Sequence, residues 1–479
     1  MAESEAKVIT PTAAASISPK RDAANRVSTS NIDNEDPPSF GLPAWRKYLI
    51  LFSVSWMTFV ITFSSTALLP AMPEISSEFS ISNESVAVTN SGVLLAMGFS
   101  SFLWIPIGLL IGRQRAYNLA IFFLCACSCG TAVATNMAIF TAMRVLGGFT
   151  GTYFMVAGQT ILADIFEPVV RGRAVGFFMV GSVSGAAFAP CLGGIIVTFT
   201  HWRIIFWVQV AMALLGLTSS LVFIPNIDKM NKSTQANSEE IEKPKKSILS
   251  RFNPVRVFTL LIYPNIFLAD LTCGLLSWFQ YSLLTSVRDV FNPRFNLTSA
   301  LVSGLFYIAP GAGFLFGSVI GGKLSDRTVK KHIELRNGLR LPQDRLNSGI
   351  SMIMVVLPIS ALIYAWTLEE GVGGMAVPII SAFFAGFGLM GTFNSLNTYT
   401  AEVIPASKAE VISSKYLVQY CFGAGATGAI MPLISAIGVG WTFTISVCMC
   451  FIGGGFTFLV SRKGLDMQKC VIQKIGKRS

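Results

Sequence analysis

Twelve apolar stretches, each long enough to cross a bilayer, run between residues 47 and 461. Crossing about 30 Å of hydrocarbon takes about 20 helical residues, because backbone polar groups in lipid must satisfy one another. The stretches cover 47-69, 86-108, 116-134, 139-163, 174-197, 204-224, 262-286, 300-322, 349-366, 374-397, 411-437 and 441-461. Charged residues make up only 13% of the chain and hydrophobic ones 52%. A soluble chain of this length would carry roughly twice that charge. The expected fold is therefore an all-α membrane protein with twelve transmembrane helices.

The cations settle the expected orientation. With an even number of spans both ends lie on one side, and 32 of the 36 Lys and Arg fall in segments on that side. Short basic loops stay cytoplasmic, so both termini are expected there. The formal charge of +11 follows from this topology. No nucleic-acid motif accompanies it, so no nucleic-acid partner is expected. Two Asn-x-Ser/Thr triplets, at Asn83 and Asn296, fall in outer loops and are candidate glycosylation sites. A third, at Asn231, falls on the cytoplasmic side. No cleavable signal peptide is read, and the first span would direct insertion. The nine Cys lie in spans or cytoplasmic segments, which argues against a disulfide framework.

The chain divides at a polar stretch. Residues 1-45 read as a disordered cytoplasmic tail, 46-226 as one six-helix bundle, 227-261 as a cytoplasmic linker, 262-461 as a second bundle and 462-479 as a cytoplasmic tail. The halves share local text. Gly112-Arg113-Gln114-Arg115 follows span two, and Gly322-Lys323-Leu324-Ser325-Asp326-Arg327 follows span eight. Ala163-Asp164-Ile165-Phe166-Glu167-Pro168 ends span four, and Ala401-Glu402-Val403-Ile404-Pro405 ends span ten. Such pseudo-symmetric halves can rock about an axis along the membrane normal, exposing a site between them to one side and then the other.

These features resemble the major facilitator superfamily over nearly all of 45-461. The run Gly322 to Lys331 matches its loop signature, and Arg144-Val145-Leu146-Gly147-Gly148 is similar to its span-four motif. In the first half Leu109 stands where the loop signature has an acid. Gly181, Gly185, Pro190, Gly193 and Gly194 on span five resemble the signature of the drug:proton antiporter branch. Longer runs, among them Trp56 to Thr66, Phe267 to Leu276 and Leu341 to Leu346, resemble fungal itaconate exporters. That resemblance implies two six-helix bundles of the major facilitator fold, alternating access and export of a small dicarboxylate. Residue spacing alone does not give the substrate.

Physical chemistry assigns candidate roles. Arg144, inside span four, and Lys415, near the inner start of span eleven, are cations suited to carboxylates, one from each half. For each the alternative is a structural anchor. Gln159, Gln280, Tyr281, Asn394, Asn397, Tyr399 and Gln419 are polar residues in spans that could complete the site. Asp270, eight residues into span seven, could carry a proton or serve as a helix contact. On the inner face Arg113, Arg115, Asp164, Arg171, Asp326, Arg327 and Glu402 could form ion pairs that hold the halves together, with Asp164 reaching Arg113 or Arg115 and Glu402 reaching Lys323 or Arg327. The alternative is ordinary surface charge. The span-five residues either pack the helix or seal the cavity.

Other classes fit less well. The only histidines, His201 and His332, lie outside the spans without metal-ligand spacing or a nucleophile, which argues against an enzyme. No phosphate-binding loop appears, so no ATP drive or other cofactor is expected. The tail after 461 is short for a non-transporting sensor. The first span holds no acid, which favours an anionic or neutral substrate over a cationic drug. The expected partners are an organic acid, the lipid bilayer and protons. The expected state is a monomer in the plasma membrane. An efflux pump for drugs or a secreted metabolite is the alternative.

Overall fold

A computed structural model describes residues 42–166, 168–224, 254–295, 300–337, 341–404 and 407–476. All of these belong to one compact unit, Ser39–Ser479. The first half contains α1 (Ala44–Thr66), α2 (Asn83–Ile111), α3 (Arg113–Ala132), α4 (Met137–Gly148 continued by Gly151–Ile165), α5 (Pro168–Phe199) and α6 (Arg203–Phe223). The second contains α7 (Pro264–Ser286), α8 (Ala300–Phe306 continued by Ile308–Leu335), α9 (Leu346–Ser351 through a π turn into Leu357–Glu370), α10 (Ala376–Glu402), α11 (408–437) and α12 (439–476). Among the described residues the fold is all-helical, with twelve long helices, as expected.

By length and composition, nine described helical stretches are apolar enough to cross a membrane. One of them, Lys408–Lys469, holds both α11 and α12. The helices outside that set, α3 and α7, are diluted by polar residues such as Arg113, Arg115 and Asn118 in one and Asp270 and Gln280 in the other. The last helix runs past 461, the expected end of its span, and reaches Gly476.

Helix ends follow local chemistry. The Ser82 side chain accepts from Ser85 N, and Asn136 accepts from Ile139 N, capping α2 and the first part of α4. Between α11 and α12 the chain turns at Gly438, whose φ of 82° and ψ of 169° suit glycine. The Glu369 carboxylate at the end of α9 accepts from Val439 N at 2.8 Å and caps the helix that starts there.

The faces are distinguished by charge. At the basic face lie residues 111–115, 164, 326, 345 and 402; at the opposite face lie 67–83, 134–137 and 199–203. There Glu78 accepts from Trp202 and pairs with Arg203, and Arg203 also donates to the Ala134 carbonyl. The His-Trp-Arg run thus ties the helix Met72–Phe79 to the α5–α6 turn.

Two seams join the halves. Along α2 and α11, a Cβ on Gly98 would meet Leu417 O at 3.4 Å, and one on Gly428 would meet Ser91 Oγ at 3.1 Å. Along α5 and α8, a Cβ on Gly311 would meet Ala187 Cα at 2.8 Å, and one on Gly304 would meet Gly194 Cα at 3.2 Å. The second seam lies toward the opposite face and brings backbone close to backbone.

Candidate functional site

Lys415 sits two turns into α11 and is 1% exposed. Its Nζ donates to Asn397 Oδ1 on α10 at 2.7 Å and stands 3.5 Å from the centre of the Tyr416 ring. An ammonium among helices needs such acceptors, because burial strips away its water. From the other side of the same turn, Asp270 on α7 accepts from Ser414 Oγ at 2.8 Å. Asp270 is fully buried, and its Oδ1 has no hydrogen-bond partner in the structure. The two charges are close enough to interact, although no ion pair within 4 Å joins them among the described residues. Tyr399, on α10, accepts from Asn265 Nδ2 at 3.1 Å beside this cluster. From the first half, Gln159 Nε2 donates to Tyr416 Oη at 3.4 Å.

Lys415, Asn397, Asp270 and Gln159 therefore meet in one polar cluster drawn from α11, α10, α7 and α4. Gln419, one turn beyond Lys415, buries an Oε1 without a hydrogen-bond partner. Tyr281 and Gln280 lie farther along α7, with Tyr281 next to Ser65 of α1. Asn394 points elsewhere and donates to the Ser318 carbonyl of α8, where it ties two helices together.

Arg144 is separate from this cluster. Its Nη1 donates to Ser64 O at 2.8 Å, its Nη2 to Asn90 Oδ1 at 3.0 Å, and its guanidinium lies 5.4 Å from the centre of the Phe206 ring. Each of these partners is neutral and belongs to the first half. Gly98 abuts Leu417, and Asn90 lies eight residues up α2 from Gly98. At 1.5 Å per residue, Asn90, which holds Arg144, and Lys415 are thus roughly 15 Å apart along the helix axes. That exceeds the separation of two carboxylates on a short carbon chain. The expectation that both cations grip one dicarboxylate together is corrected.

At the basic face Arg113 pairs with Asp164 at 2.7 Å, as expected. In the second half Arg345, from the short helix Pro342–Arg345, pairs with Asp326 at 3.0 Å and Glu402 at 3.1 Å. The expected Glu402 partners, Lys323 and Arg327, are exposed on α8. Asp326 and Arg327 are adjacent on a helix and do not face each other. Each of these described pairs joins helices of the same half. Arg115 is exposed, and the Arg171 side chain lies outside the described residues.

The span-five residues divide between two contacts. Cβ atoms on Gly181, Gly185 and Gly193 would collide with α1, at Ser55 O, Thr62 Oγ1 and Ala67 O. Pro190 and Gly194 instead face Gly304 of α8 in the seam between halves. Contact within the half and contact between the halves are thus carried by different residues of one helix. Asn83 is exposed at the start of α2, and its Oδ1 accepts from Ser76 Oγ at 2.6 Å. Asn296 lies outside the described residues.

Sequence reasoning missed Ser414, Asn90 and Arg345. A serine next to Lys415 gives no signal in a span rich in serine. Asn90, a lone amide within an apolar span, did give one. Arg345 reads as one basic loop residue among several.

A family model described as Major Facilitator Superfamily matches residues 54–428. The chain is 28% identical over 445 residues to the MFS transporter fsa7 of Fusarium sp. (strain FN080326), covering 88% of this chain and 85% of that protein. It is 26% identical over 419 residues to the efflux pump radE of Floropilus chiversii, covering 83% and 77%. In fold it is similar to the human organic anion transporter MFSD10 (TETRAN), with a TM-score of 0.63, 14% identity, and coverage of 87% of this chain and all of that one.

Proposed function

The chain belongs to the Major Facilitator Superfamily, and from that premise we propose that this secondary transporter exports a small organic acid, itaconate first among the candidates. It is a multi-pass membrane protein and not an enzyme. We place it in the plasma membrane as a monomer; both termini are assigned to the cytoplasm because 32 of its 36 cations fall in segments on one side.

The observation that carries the reading is Lys415. It is a fully enclosed cation whose described hydrogen bond goes to a neutral amide, at the depth where the two halves meet. A substrate carboxylate exchanges with Asn397 as the acceptor on Nζ, forming a charge-assisted hydrogen bond. Gln159 and Tyr416 sit close enough to contribute donors from both halves. Asp270 approaches the same turn and opposes the substrate. When ionised it neutralises Lys415 and favours release; when it carries a proton, the lysine's charge is left for the substrate. Proton coupling would act through this residue. The inside-negative potential favours anion export by about 2.3 kcal/mol per charge per 100 mV.

A second reading is efflux of a secreted metabolite, supported by relatives such as radE that are named as efflux pumps. An export assay separates the two. Cells lacking their own exporters, expressing this chain and loaded in turn with organic acids and drugs, should release itaconate faster than controls. Release of drugs without itaconate would favour the second reading and remove the first.

A further inference from the structure

We propose that Arg144 and Asn90 form a second, separate carboxylate site, a station nearer the opposite face through which the exported acid passes after leaving Lys415. This rests on the reading of the chain as an organic-acid exporter. Both side chains are enclosed, with Asn90 fully buried and Arg144 4% exposed. Each keeps a donor without an acceptor: Nε of Arg144 and Nδ2 of Asn90 have no hydrogen-bond partner in the structure. Their remaining contacts hold them in place, Nη2 to Asn90 Oδ1 at 3.0 Å and Nη1 to Ser64 O at 2.8 Å.

Buried donors nearly always find acceptors, since an unsatisfied one costs about 1–3 kcal/mol and more when charged. Two such donors on touching side chains, one of them cationic, match the demand of a carboxylate. The contacts around the guanidinium are a carbonyl, an amide, a hydroxyl and the Phe206 ring. No carboxylate of the protein pairs with it among the described residues, so its charge is left for a ligand. The two stations are roughly 15 Å apart by helix rise, so one short dicarboxylate cannot occupy both. Each station therefore holds a molecule of its own, and both are filled at once. Ser64, which binds Arg144, is followed by Ser65 next to Tyr281 of α7, so the second station borders the seam between halves.

Equilibrium binding of radiolabelled itaconate to the full-length protein in nanodiscs, in chloride-free buffer, tests this. The wild type should bind two molecules per chain. Asn90→Leu, which keeps size and removes the donor, should bind one. Arg144→Lys should weaken the same equivalent, and Lys415→Ala should remove the other. Two molecules retained in both Asn90→Leu and Arg144→Lys overturn the site, as does a single molecule in the wild type that Asn90→Leu leaves unchanged. Loss of the second equivalent on adding chloride reassigns the station to a halide and overturns its assignment to the acid. No bound itaconate at all overturns the second station and the substrate reading together.

Discussion

Enclosing the Lys415 ammonium costs several kcal/mol, which its contacts with Asn397 and Tyr416 partly offset. Replacing it with methionine removes the charge and leaves the packing nearly intact. Lys415→Met should therefore reach the membrane at wild-type abundance yet transport roughly 10- to 100-fold less efficiently, the loss of a hydrogen bond to a charged group. Uptake into inverted vesicles, normalised to protein, measures this; near-normal kcat/KM would exclude Lys415 as the anchor. Asp270→Asn tests the opposing charge. It should lower KM and kcat together, because a neutral amide no longer drives release, and it should flatten the pH dependence of transport. At this scale the sequence was only half legible. Lys415, Asn397 and Asp270 stood out as polar groups in apolar runs. That Ser414 would hold Asp270, or that Arg144 would look to Asn90, depends on which helix faces lie together, and spacing along one strand does not carry that.

Between helices, short polar segments do the joining. Arg345 gathers Asp326 and Glu402 although it belongs to neither helix and is separated from them in sequence. Exposed pairs contribute about 0–1 kcal/mol each, and the Arg345 side chain is only 14% exposed, so the better shielded bond to Glu402 contributes more. Arg345→Ala should lower the melting temperature in detergent by a few degrees, and Asp326→Ala by less. Equal shifts would mean that shielding plays no part. Spans were the most readable elements because their length is set by the bilayer and their apolarity is continuous. Their ends were less so. The break between α11 and α12 was expected between 437 and 441, and Gly438 is where the backbone allows it. Beyond 461, Leu465 N of α12 donates to Gln343 Oε1, a contact made across the fold that spacing along the chain does not show.

Across the whole molecule, the two halves come backbone to backbone where Gly311 lies on Ala187 and Gly304 on Gly194. If the halves rock, this seam must part each time the path opens to the opposite face. A bulky Gly311→Val should hold it apart. Transport should then fall roughly tenfold or more, while a cysteine introduced at Ser184 becomes more reactive to a membrane-impermeant thiol reagent added from outside. Conversely, an Ala187→Cys/Gly304→Cys pair bridged by a bifunctional crosslinker should stop turnover, and cleavage of the linker should restore it. Unchanged transport after complete crosslinking would rule out rocking at this seam. The paired halves were legible from repeated loop text. Which glycines of span five face a partner within the half and which face the other half was not, since Gly193 and Gly194 are adjacent in sequence and turn to different neighbours.

The corner at Gly438 has a mechanical consequence. One residue of turn, clamped by a carboxylate from α9, leaves the last two helices no slack, so they behave like a bent lever with a fixed elbow. Any tilt that ligand binding imposes near Lys415 must travel through that elbow to the far end of α12, where a reporter dye would register occupancy from outside the transport path.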